Sequence, residues 1–140
     1  WNSKLDLVIA ALEAAFAEHP VPDTGSFRGD CVTYLRQTAE GLAMPGSRTV
    51  IADLLGDSAR DDELTATFRK RLIEPRHRAL TTMVDRAIAR DELARDVDAA
   101  VLVDTLVGPL YHRLLITGEP ITSDVADEVV ELVLQGATRR

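Results

Sequence analysis

Apolar residues recur every three or four positions along most of the chain, and no stretch alternates in the manner of a strand. Leu5, Val8, Ile9, Leu12, Ala15 and Phe16 mark a first helix over about 4–18, with Ser3 as its cap and Asp6 three residues on. The run from His19 to Gly25 holds two prolines and ends it. Phe27, Cys31, Leu35, Ala39 and Leu42 mark a second helix over about 26–43, broken at Pro45 and Gly46. Val50, Ile51, Leu54 and Leu55 mark a third, over about 47–59. Asp61 is placed to cap a long helical segment reaching about residue 90, and Pro75 inside it predicts a kink or a split. Asp98 caps a fifth helix to about residue 116, stopped by Gly118 and Pro120. Thr122 or Ser123 caps the last, over about 124–134. These elements predict an all-α, six-helix bundle with a kinked central helix.

Two helices carry more apolar surface than one face can use. Between Ala99 and Tyr111 the only charged residue is Asp104, and Val125, Val129, Val130, Leu132, Val133 and Leu134 crowd the final helix. A helix apolar nearly all round is buried on both sides, and a six-helix domain has few helices to wrap it with. A two-fold dimer is therefore expected, with Leu102, Leu106, Pro109, Val129 and Val133 as contacts across a four-helix bundle.

With 140 residues, 46% of them hydrophobic, the chain makes one domain large enough to fold without disulfide or metal. Its net charge of −7 argues against nucleic-acid binding by this segment alone. Arginine outnumbers lysine 14 to 2, the usage of a high-GC bacterial genome. The lone Cys31 excludes an internal disulfide and suggests a reducing compartment. No apolar run is expected to reach membrane-span length, and no signal peptide opens the chain. Since the sequence starts at Trp1 without a methionine, it is expected to begin inside a longer protein.

The catalytic inventory is thin. There is no phosphate-binding glycine loop, no His-Glu-x-x-His and no Gly-x-Ser-x-Gly. His19, His77 and His112 have no His or Cys three or four residues away, so no metal site is expected. Cys31 on an apolar stripe reads as a buried small hydrophobe. No catalytic residue and no cofactor are predicted. The basic stretch from Arg69 to Arg90 holds seven cations against Glu74 and Asp85, and reads as a solvated helix face.

Trp1-Asn2-Ser3-Lys4-Leu5, Phe68-Arg69 through Ile73-Glu74-Pro75-Arg76, Ala87 through Leu93, and Val107 through Leu115 followed by Thr117-Gly118-Glu119-Pro120 together resemble the C-terminal domain of tetracycline-repressor (TetR) family regulators. The resemblance spans the chain as one ligand-binding and dimerisation domain, without the N-terminal helix-turn-helix reading head. It implies a cytoplasmic homodimeric repressor that an unknown small molecule releases from DNA. DNA would be reached only through the missing domain, and no membrane is involved. By the resemblance, Lys4 matches a position that in the family can touch a DNA phosphate. The resemblance also implies that the helix around Pro75 shifts when ligand fills the bundle and that the first helix carries the shift onward. The other readings are a free-standing helical enzyme and a dimerisation module without a ligand.

At about 100° per residue, Arg76 falls on the same face as Phe68, Leu72, Leu80, Met83 and Ala87. A guanidinium facing a core must find acceptors. An internal carboxylate, a rotation at Pro75 that turns it outward, or an effector would each satisfy it. In the last case Arg76 anchors an acidic or carbonyl-bearing ligand in a cavity lined by Leu35, Phe68, Leu72, Met83 and Tyr111.

Overall fold

Four helix starts are fixed by side-chain oxygens that accept otherwise unpaired backbone N–H groups. Ser26 takes Gly29 N at 3.1 Å, Asp61 takes Leu64 N at 3.1 Å, Asp98 takes Val101 N at 3.1 Å and Thr122 takes Val125 N at 3.3 Å. In the computed structural model, which describes residues 4–137, the helices are α1 (Lys4–Glu18), α2 (Phe27–Leu42), α3 (Ser47–Arg60), α4 (62–89), α5 (Ala99–Thr117) and α6 (Ser123–Ala137). There is no strand among the described residues. The expected cap Ser3 lies outside them, as do Trp1 and Asn2 of the junction motif.

Two of the six helices contain a π turn. In α4 the α-helical segment Asp62–Phe68 passes through Arg69–Ile73 into Glu74–Ala89 without a break, and Glu74 N donates to Arg69 O, five residues back. Pro75 follows directly. A proline inside an α-helix lacks one donor and crowds the carbonyl four residues earlier, and the wider turn gives it room. Of the kink or split expected at Pro75, the split does not occur: the helix runs on, with one residue added to the turn that precedes the proline. In α5 the π turn Arg113–Thr117 ends the helix, where Gly118 N donates to Arg113 O at 2.9 Å. Gly118 adopts φ 72°, a left-handed conformation that favours glycine.

Burial divides into two clusters. The larger is built from α2, the C-terminal half of α4, α5 and α6, and includes Phe27, Tyr34, Leu35, Leu80, Met83, Leu106, Leu110 and Val130. The smaller joins Ile9 of α1, Leu54 of α3 and Leu72 of α4, with Leu5, Leu12, Phe16, Leu64 and Phe68 around it. The third helix buries less than its pattern suggests. Leu54 is enclosed, whereas Val50 and Leu55 are about 40% exposed.

One expectation about length is corrected. Helix α5 is 19 residues long with a mean hydropathy of 1.4, which is long and apolar enough to cross a membrane by length and composition. Its inward face is occupied by α2, α4 and α6 of the same chain.

Candidate functional site at Arg76

Arg76 stands where the two clusters meet. Its guanidinium carbon is 5.2 Å from the centre of the Phe16 ring, on the small cluster, and 4.9 Å from that of Tyr34, in the large one. Nη1 donates to the His19 carbonyl at 3.0 Å, just past the end of α1. Nε is buried with no hydrogen-bond partner. No carboxylate among the described residues lies within ion-pair distance of this guanidinium. Of the partners the sequence allowed, the structure supplies no internal carboxylate among the described residues, and the side chain is half-buried with its Nε enclosed. The cation is held by two aromatic faces and one backbone carbonyl.

Tyr111 of α5 lies near enough to Tyr34 and Arg76 for each to act on its phenol. Burial pushes its phenol above the ordinary value, Tyr34 adds to the rise and Arg76 opposes it, so the three groups feel one another. About a third of Tyr111 remains exposed.

The other expected lining residues fall on either side of Arg76. Leu35 and Met83 are fully enclosed in the large cluster, while Leu72 is buried in the small one with Phe68 against it. Two surface depressions lie elsewhere. One of about 430 Å³ is lined by Asp91, Leu93, Ala94, Arg95 and Asp96, and one of about 270 Å³ by Phe27, Arg28, Glu92 and Leu134. Neither includes Arg76 or its neighbours.

The basic stretch is not simply a solvated face. Arg71 grips Glu13 of α1 through Nε and Nη2 at 2.9 and 2.7 Å, and this pairing holds the Glu13 carboxyl below its ordinary value. Arg76 follows at His19. Arg86 donates to the Pro22 carbonyl at 2.8 Å and lies 3.6 Å from Asp23. Arg71 and Arg76 are five residues apart, about 140° of a regular α-helix. The π turn takes up the extra residue and lets both reach α1. Helix α4 therefore ties down α1 and its exit loop through successive arginines.

A second polar group fixes the start of α2. Asp30 is fully buried and accepts from Thr24 N and Thr24 Oγ1 at 2.6 and 2.7 Å, with Arg86 and Arg90 each 3.8 Å from its other oxygen. Glu92 accepts from Phe27 N at 2.6 Å and from Arg90. Burial works to raise the Glu92 carboxyl, but the Phe27 N–H and Arg90 outweigh it and hold it below its ordinary value. Cys31, next to Asp30, is pushed up to about 12 by burial, with Asp30 and Glu92 adding to the rise. That is an inert thiol, as its apolar stripe suggests.

The residues expected at a dimer interface lie mostly on the inner side of these two helices. Leu102, Leu106, Val129 and Val133 are buried in the chain's own core, and Pro109 is half-buried. The outward stripe of α5 is Val101, Thr105, Gly108, His112 and Ile116, and that of α6 runs through Glu128 and Leu132. Val101, Ile116 and Leu132 are 59%, 72% and 63% exposed. Both helices are apolar nearly all round, so periodicity could not tell the inner stripe from the outer.

Comparison with known proteins accounts for the whole of this architecture. The family model described as the tetracyclin repressor-like, C-terminal domain matches residues 21–133. The helix-turn-helix-type transcriptional regulator YdeS of Bacillus subtilis is 31% identical over 137 residues, covering 97% of this chain and 69% of that protein. The DNA-binding transcriptional repressor TetR of Mycobacteroides abscessus is 29% identical over 147 residues, covering 99% and 75%. The crystal structure of the TetR family transcription regulator SCO0332 superposes with a TM-score of 0.88 at 28% identity, covering 99% of this chain and 77% of that one. Regulators of this family act as dimers that bind DNA and small-molecule effectors. With its helix order, its central helix and its sequence all matching, the chain belongs to the tetracycline-repressor-like family of transcriptional regulators, whose C-terminal domain it carries.

Proposed function

We infer that these 140 residues are a single effector-binding and dimerisation domain of a cytoplasmic repressor. Its parent would carry an N-terminal helix-turn-helix domain, and an effector bound here would lower the parent's affinity for DNA. The YdeS match supports this, since the chain spans 69% of a protein named for its helix-turn-helix. Lys4, exposed in the first turn of α1, would sit at the junction. DNA contact belongs to the parent's other domain, because a chain of net charge −7 does not neutralise phosphates.

The observation that carries the sensing role is the setting of Arg76. One cation touches both apolar clusters and is bonded to the end of α1. A ligand that reorients it acts on α1 directly. The site residues proposed are Arg76 and Tyr111 with Leu35, Phe68, Leu72 and Met83 as the apolar surround, and opening a cavity among them requires the two clusters to part. The chain is proposed to bind without turnover and without metal or cofactor.

Calorimetry against a panel of small aromatic and acidic metabolites tests this reading. Saturable binding that Arg76→Met removes, with unchanged recovery of the ligand, is the expected result. Chemical conversion of the bound compound would make the chain an enzyme. No saturable heat from any member of the panel would favour a dimerisation module without a ligand.

A further inference from the structure

This chain displays twice how it holds a carboxylate. Arg71 offers Nε and Nη2 to the two oxygens of Glu13 at 2.9 and 2.7 Å. Arg36 offers the same edge to Asp127 at 2.8 and 2.6 Å. Each is a planar two-pronged fork matched to a planar acceptor.

Arg76 has the same edge unused. Its Nη1 is engaged by the His19 carbonyl, and its Nε is buried without a partner. Buried N–H groups on a permanent cation are ordinarily paired, so an unused one beside aromatic rings points to a ligand. A single guanidinium balances a single negative charge. A dianion such as phosphate would stay half-neutralised here, in a chain that is already strongly acidic.

We propose that the Nε–Nη2 edge of Arg76 is the recognition point for an aromatic monocarboxylate, with Phe16, Tyr34 and Tyr111 receiving its ring. This rests on the sensing role given to Arg76 above and names the ligand class it would take. The carboxylate lies in the plane of the fork, and an attached aromatic ring finds three aromatic side chains around it. The cation bonds the ligand through one edge and the end of α1 through Nη1, so occupancy is felt at His19. Tyr111 is a third exposed, so that side of the cluster faces the surface.

The test uses the ¹⁵N-labelled chain and two probes of nearly equal shape, benzoate and benzamide. Benzoate, raised through the millimolar range, is expected to move the Arg76 Nε–H resonance downfield and saturably, and to shift the Glu18, His19 and Val21 amides with it. The Nε–H of Arg95, 86% exposed on its side chain and remote from the site, serves as the control that stays put. Arg76→Lys keeps the charge but loses the fork, and is expected to abolish the benzoate-induced shifts of the Tyr34 and Tyr111 ring protons. Any of four results overturns the proposal: no saturable shift at Arg76, an equal response to benzamide, an equal response to inorganic phosphate, or full benzoate binding by Arg76→Lys. None of these bears on whether the chain pairs with itself, which light scattering measures separately, so a failure here is separable from a failure of the regulator reading.

Discussion

The guanidinium carbon of Arg76 lies 4.9 Å from the centre of the Tyr34 ring, and through that contact α4 joins α2. The same cation reaches Phe16 of α1 at 5.2 Å. A cation over an aromatic face contributes about 0.5–2 kcal/mol. Against this stands the cost of the unpaired Nε, about 1–3 kcal/mol for a buried polar group. The two nearly cancel. Arg76→Met is therefore expected to change unfolding free energy in urea by no more than about 1–2 kcal/mol. A loss well beyond that range would make Arg76 a structural pillar and weaken its part in sensing.

The outward face of the last two helices gives a contrast between two substitutions. Leu132→Glu, at a position 63% exposed, is expected to leave the chain folded and to dissociate a dimer. Leu106→Asp, at a position 1% exposed, is expected to cost about 3 kcal/mol or more, because it buries a charge in the core. Circular dichroism melts and gel filtration of both variants separate the outcomes. If Leu132→Glu left the mass unchanged, the interface would lie on another face.

Acid should weaken the fold through Glu92. Its folded carboxyl sits below the ordinary value of 4.5, so the stability it contributes is complete above that pH and is lost as pH falls through the folded value. Glu13 and Asp127, lowered by Arg71 and Arg36, act in the same direction. Urea unfolding measured from pH 7 downward is expected to show stability declining below about pH 5. Glu92→Gln should be less stable than the parent chain at pH 7 and lose less on acidification. An equal loss in both would remove Glu92 from the account.

Cys31 supplies a check on packing. A fully buried thiol pushed up to about 12 is almost entirely un-ionised at pH 8, and only the thiolate reacts. A thiol-specific disulfide reagent is expected to label the native chain no faster than it unfolds, and to label it at once in strong urea. Rapid labelling of the native chain would show that the start of α2 opens locally.

Helix boundaries were legible because they depend on local chemistry. Asp61, Asp98 and Thr122 announce their caps, and Pro45-Gly46 and Gly118 announce the breaks. The π turn at Arg69–Ile73 was not legible, since one extra residue in a turn leaves the apolar pattern on either side intact; Pro75 was its only signal. The partners of the arginines on α4 were hidden for a different reason. His19, Pro22 and Asp23 lie in a proline-rich loop whose path only the folded chain defines, and two of the acceptors are backbone carbonyls with no mark in the sequence. The inner and outer stripes of α5 were indistinguishable because Val101 and Leu102 are equally apolar.

A domain that pairs with itself and senses a ligand shows the pairing first. Light scattering on the purified chain at micromolar concentration measures it without a ligand or DNA. A particle of twice the chain mass of 15.3 kDa is expected. A particle of the single chain mass at that concentration would contradict it.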